Sequence, residues 1–140
     1  MVNCRFTVAI HVLCLLAAQQ PQPLTSEFIA GSVNTNAVVI RRILAALRKA
    51  GLVKSQLGVS GGWELVARPS SITLAQVYQL IRPGTVFALH SKHPNPRCPV
   101  GRNIQHGLLG YYRKAQAAME EELAQSTIAD VLQDVVAAGK

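Results

Sequence analysis

Apolar residues recur along this chain with two different periods, and the change of period marks out its elements. Residues 4–19 are apolar on most sides, which predicts a first helix packed from several directions, and Pro21 and Pro23 end it. Thr25 or Ser26 can cap a short second helix, with Glu27 in its first turn and Gly31 and Ser32 weakening its end. The "NTN" at 34–36 is turn chemistry, and Asn36 is a good N-cap for a third helix, "AVVIRRILAALRKAG", closed by Gly51. On that helix Ile40, Ile43, Leu44 and Leu47 recur at spacings of three and four, which predicts the face turned to the core. Val38, Arg41, Arg42, Ala45 and Arg48 are left to face outward.

The period then shortens. Two strands are predicted around 52–56 and 63–67, with Gly58, Gly61 and Gly62 permitting an irregular tip between them. Pro69 closes the second strand, and Thr73 caps a helix through "LAQVYQLIR" that ends before Pro83. Residues 83–97 read as a loop rich in proline. A long helix follows from Pro99 to about Gln125, with Ile104, Leu108, Tyr111, Tyr112, Ala115, Met119 and Leu123 repeating every three or four positions. Thr127 caps a last helix, "IADVLQDVVAA". The predicted fold is mainly α with a small β-hairpin: a helix-turn-helix with a β-wing behind it. Three parts are expected: a winged helix-turn-helix domain over 1–82, a loop over 83–97, and helices over 98–140 packed with the first helix.

Charge sharpens this picture. The chain has 140 residues and a formal charge of +7, and the excess is uneven. Residues 1–97 hold ten Lys or Arg and two acids; residues 98–140 hold four and five. A basic front half joined to a near-neutral back half suggests a polyanion-binding part and a part that binds none. The outer face of the third helix carries Arg41 and Arg42 in the half that would enter a major groove, where arginine reads guanine or holds phosphate. Asn34, Thr35 and Asn36 suit phosphate contacts at the helix start, and Val38 lies on the same outer face. In the wing, Lys54, Ser55 and Gln56 are placed to meet phosphates, Leu52 and Val53 tie the first strand to the core, and Trp63 anchors the second. The plainer alternative is a solvated basic face on an ordinary helix.

The cysteines Cys4, Cys14 and Cys98 are odd in number and far apart, which is no secreted disulfide framework and fits a reducing cytoplasm. The run "FTVAIHVLCLLAA" mimics the centre of a signal peptide, but His11 interrupts it, a single Arg5 precedes it, and it is too short to span a bilayer. It is therefore expected to be a buried helix with His11 a satisfied core residue, in a cytoplasmic protein without a membrane partner. No catalytic constellation stands out: acids are sparse, and there is no phosphate loop, no "HExxH" and no nucleophile elbow. The chain does not read as an enzyme.

The stretch "IRRILAALRKAGLVKSQLGVSGGWELVARPSSITLAQV" resembles the winged-helix core of the Rrf-two family of bacterial transcription regulators. That family includes the iron–sulfur cluster regulator, the nitric-oxide-sensitive repressor and the cysteine-metabolism repressor. The likeness runs from "RFTVAIHVL" through "CPVG" to the late helices, carried by "LRKAGLVKS", G-x-x-GG and "ITL" in combination. It implies a homodimer on double-stranded operator DNA, each recognition helix in a major groove and each wing along the adjacent minor groove. It also implies that the long helix forms the dimer interface. At the wing position where the iron–sulfur regulator carries arginine, this chain has Leu57, so the resemblance brings no base-reading contact there.

The family's sensor lies in the loop ahead of the long helix, where iron–sulfur members supply three cysteines. This chain has one, Cys98, in "HSKHPNPRCPVG". With only His90, His93 and His106 nearby, the ligand set for a cluster is incomplete and the spacing matches no familiar zinc site, so no cofactor or metal is expected. Pro99 suits a first helical position, which places Cys98 at the N-cap beside Arg97 and Arg102, a setting in which thiols react readily. A "CPVG" cysteine here resembles that of the family's thiol-based redox sensors, with Cys4 a candidate to meet Cys98 of the partner subunit; Cys98 acting only as a helix start is the alternative. Cys14, inside an apolar run, reads as buried filler. A repressor responding to thiol oxidation is the resulting expectation, with a cluster- or metal-dependent regulator and a winged-helix protein-interaction module as alternatives.

Overall fold

The computed structural model describes residues 4–81 and 86–140. Six helices and one hairpin follow in order: α1 (Arg5–Ala18), α2 (Ser26–Val33), α3 (Ala37–Lys49), β1 (Val53–Gln56), β2 (Gly62–Leu65), a 3-10 turn (Pro69–Ser71), α4 (Leu74–Ile81), α5 (Pro99–Leu123) and α6 (Ile128–Ala138). They group into two units, Met1–Pro83 with Leu123–Lys140, and Gly84–Glu122.

Short-range chemistry sets the elements of the first unit. The Thr25 hydroxyl accepts a hydrogen bond from the Phe28 N–H at 3.1 Å and starts α2. Asn34 takes the left-handed conformation (φ 65°) that stops α2, and the Asn36 side-chain oxygen accepts from the Val39 N–H at 3.0 Å to start α3. The turn between the two helices is therefore made by three residues that each satisfy local backbone groups. Gly51 (φ +80°) ends α3, and the Leu52 N–H returns to the Leu47 carbonyl at 3.0 Å. Ile40, Ile43, Leu44 and Leu47 are fully buried, each contributing about 1.5–3 kcal/mol by leaving water. Their partners include Ala9, Val12 and Leu13 of α1, Ile29 of α2 and Val77 of α4.

The hairpin is antiparallel, with Val53 opposite Leu65 and Lys54 opposite Glu64. Val53 and Leu65 are buried; Lys54, Ser55 and Gln56 face solvent. The strands are shorter than the sequence pattern suggests because Leu52 leaves the ladder: its carbonyl accepts from the N–H groups of Val66 and Ala67 at 2.9 and 3.4 Å. Two of the glycines do more than loosen the tip. A Cβ on Gly62 would lie 2.6 Å from the Leu24 carbonyl oxygen, and one on Gly61 would collide with that of Gln56. The close approach at Gly62 lets Leu24 and Trp63 exchange backbone hydrogen bonds at 2.9 and 2.7 Å, which clips the wing to the segment between α1 and α2.

The α6 helix belongs to this same unit. Thr127 and Asp130 form a reciprocal capping box, Thr127 pairs with Thr73 across an isolated bridge, and fully buried Ile128 joins the core. The extended chain needed for that bridge explains why α5 stops at Leu123 and does not run on to Gln125 as the periodicity suggests. The second unit ends at Glu122.

His11 departs from the expected core position. It is half-buried, with Nε2 3.0 Å from the Ser32 hydroxyl, and it lines a cleft of about 470 Å³ together with Ile10, Cys14 and Leu132. The ring lies on the side of α1 that the core leaves open, and the Ser32 bond satisfies one of its nitrogens. Cys14 itself is buried, and desolvation pushes its thiol above the ordinary cysteine range, which keeps it protonated.

In the second unit α5 buries no residue completely. The Phe87 ring stacks on Tyr112 with centroids 5.2 Å apart, and a cleft of about 520 Å³ opens between Leu89, Leu109, Tyr112 and Gln116. Of the predicted interface stripe, Ile104, Tyr111 and Ala115 are exposed, while Leu108, Tyr112, Met119 and Leu123 are half-buried. The Phe87 stack thus engages one flank of α5 and leaves the Ile104–Tyr111–Ala115 flank open.

Candidate nucleic-acid interface

The outer face of α3 is set by its inner one. With Ile40, Ile43, Leu44 and Leu47 fully buried, a helical turn leaves Val38, Arg41, Arg42, Ala45 and Arg48 in solvent, as they are. Asn34 and Asn36 are exposed and Thr35 is half-buried at the turn that precedes them. The Asn36 side-chain oxygen accepts the cap hydrogen bond, and its amide NH₂ is left to approach a ligand.

The two arginines stand in different surroundings. Arg41 Nη2 donates to Glu27 Oε1 at 2.5 Å, joining α3 to the first turn of α2. Arg42 has no hydrogen bond or ion pair among the described residues and projects as a free cation. On the wing Lys54 Nζ lies 3.3 Å from Glu64 Oε1, its directly opposed cross-strand neighbour. Arg48 sits 5.7 Å over the Trp63 ring, a cation–π contact that links the end of α3 to β2. Trp63 is half-buried against the core, so it anchors its strand as its place in the sequence suggests. Leu57 is 98% exposed at the tip with Val59 beside it, and neither offers a charge to a phosphate.

Two carboxylates are therefore part of this surface that sequence reading did not place there. Glu27 reads as an ordinary first-turn acid, and Glu64 is counted only among the sparse acids. Scarcity was the available signal, since they are the two acids among residues 1–97.

Cys98 stands at the start of α5, the helix position that Pro99 behind it suggests. Cys98 Sγ accepts from the Gly101 N–H at 3.4 Å, and the Arg102 N–H reaches the Cys98 carbonyl at 2.8 Å, so Cys98 is the N-cap of α5. A Cβ on Gly101 would lie 2.9 Å from the Asn95 carbonyl oxygen, which ties this helix start to the preceding loop. Cys98 and Cys4 are both exposed free thiols.

The Rrf2 family profile, described as an iron-dependent transcriptional regulator, matches residues 2–134. The chain belongs to the Rrf2 family. It is 43% identical over 133 residues to a Bacillus subtilis protein provisionally named as an HTH-type transcriptional regulator, YwnA; the match covers 94% of this chain and 97% of that one. A crystal structure described as that of a provisional DNA binding protein shares 40% identity with a TM-score of 0.72, covering 91% of this chain and 98% of the other. The IscR of T. potens shares 25% identity with a TM-score of 0.70, covering 96% and 88%. These matches establish a winged-helix fold in a family of transcriptional regulators, not enzymes. No helix among the described residues is long and apolar enough to cross a membrane.

Iron in the family's description raises the question of ligands. Among the described residues no three His, Cys, Asp or Glu side chains stand together to hold a metal. The loop ahead of α5 supplies one thiol where a cluster calls for several, and Cys14 is enclosed in the core of the first unit.

Proposed function

We propose that this member of the Rrf2 family is a cytoplasmic, homodimeric, sequence-specific DNA-binding repressor that responds to oxidation of Cys98. The split face of α3 carries the DNA-binding part of the reading: four apolar residues fully buried on one side, and Arg41, Arg42, Val38 and the Asn36 amide exposed on the other. Such a helix can enter a major groove without disturbing its own packing. The exposed Lys54, Ser55 and Gln56 edge of the wing supports phosphate contacts beside it. The open Ile104–Tyr111–Ala115 flank of α5 supports pairing with a second copy, which would set the spacing of two half-sites in a pseudo-palindromic operator.

The test begins with selection of a duplex from a random library by the full-length protein. Its dissociation constant is then measured by fluorescence anisotropy at several salt concentrations. The observed binding constant should fall with salt at a logarithmic slope of about −0.9 for each phosphate neutralised. Failure to enrich any duplex, or affinity that ignores salt, would leave a protein-interaction role as the better account of the fold.

For the thiol, hydrogen peroxide would take Cys98 to a sulfenic acid with release of one water, and a second thiol would condense with it to a disulfide, releasing another. Cys4 of the partner subunit is the candidate second thiol. Cys98→Ser is expected to bind the selected duplex as the wild type does under reducing conditions, because serine caps a helix at least as well. The same variant should lose the change in affinity that peroxide causes in the wild type. A peroxide response undiminished by the substitution places the sensor elsewhere.

A further inference from the structure

We infer that Glu27 is a positioning residue for DNA recognition: by holding the Arg41 guanidinium it determines how sharply the protein tells its operator from other DNA. The inference rests on α3 being the reading helix. It starts from a contact that stability does not account for. Both side chains are largely exposed, 53% for Arg41 and 67% for Glu27, and ion pairs this accessible add little to folding. The acid also stands where charge would argue against it, in the basic half of the chain, on the helix that precedes the reading helix.

The geometry supplies a use for it. A guanidinium carries five N–H donors in a rigid fork, and Glu27 takes a hydrogen bond from one nitrogen, Nη2. The remaining donors stay available for a guanine edge, and the fork loses freedom to rotate toward whatever phosphate is nearest. On non-specific DNA, where contacts are made to phosphate, Arg41 has to give up the carboxylate, and Glu27 is left facing a polyanion. On the right base sequence the pair can remain intact while Arg41 reads. Glu27 thus weakens the wrong complex more than the right one, which is how a repulsive element produces specificity.

The experiment compares the wild type with Glu27→Gln, Glu27→Asp, Arg41→Ala and the Glu27→Gln/Arg41→Ala double variant. Affinity is measured on the selected duplex and on a scrambled duplex of the same length and composition, with unfolding midpoints recorded alongside. Glu27→Gln should bind the scrambled duplex more tightly and lose about fivefold to tenfold in the ratio of the two affinities, a coupling typical of side chains in direct contact. Glu27→Asp, which keeps the charge, should retain much of the ratio. In the Arg41→Ala background, Glu27→Gln should leave the ratio unchanged, because the group it acts through is gone. An unchanged ratio in Glu27→Gln overturns the inference, and so does an equal fall in the Arg41→Ala background. A wild type that discriminates no duplex overturns the reading of α3 as well, and that outcome is separable because it appears before any variant is made.

Discussion

Arg42→Ala is expected to weaken binding to the selected duplex by about 1–3 kcal/mol while leaving the unfolding midpoint where it was. The size follows from the side chain's situation. Arg42 is exposed on the first half of α3 and carries no ion pair among the described residues, so its charge and its fork are both available to DNA. Its removal costs no internal contact, and alanine favours the helix. Arg41→Ala should weaken binding less, since the Glu27 carboxylate already offsets part of that charge. Anisotropy titrations on the selected and scrambled duplexes separate the roles. A base-reading arginine loses more on the selected one, whereas a phosphate-binding arginine loses equally on both and shallows the salt slope by about one contact. Unchanged affinity in both variants would remove α3 from the interface.

Ile43→Ala should cost about 2–5 kcal/mol of folding stability. Ile43 is fully buried in the middle of α3, in one cluster with residues of α1, α2 and α4. Truncation removes three buried carbons and leaves a cavity that the surrounding helices can close only in part, because interiors are packed as tightly as crystals. Urea unfolding followed by far-ultraviolet circular dichroism gives the value. The midpoint should fall without a change in slope, and DNA affinity below the transition should stay close to that of the wild type. A loss under about 1 kcal/mol would mean that this face of α3 is not held as described. With Arg42→Ala, the pair of variants divides the helix into a face that folds and a face that reads.

That division was legible from spacing alone. Residues three and four apart share a face whatever the rest of the chain does, so Ile40, Ile43, Leu44 and Leu47 identified the inside of α3 and thereby its outside. The caps were legible for a similar reason. Thr25, Asn36, Thr73 and Thr127 each accept a hydrogen bond from an N–H three residues on, a reach that depends on little beyond residue type. The Cys98 cap on the Gly101 N–H belongs with them. The family resemblance drew on these same local features, and the match over residues 2–134 agrees with it.

Relations between elements were not legible in this way. Glu27 and Arg41 are 14 residues apart and on different helices, and no spacing rule joins them. Arg48 meets the Trp63 ring only because β2 returns beside the end of α3. Gly62 reads as a flexible turn residue, yet its lack of a side chain is what admits the Leu24 backbone. His11 was assigned to the core from its apolar neighbours, and it lies instead on the open side of α1 with Ser32. The sequence by itself determined the elements, their caps, the inner face of α3 and the family, because each depends on hydrogen bonds and side-chain periods spanning a few residues. The tertiary structure decided which exposed cations carry an acidic partner, where the wing is fastened and which unit receives α6, because each depends on how distant segments approach one another.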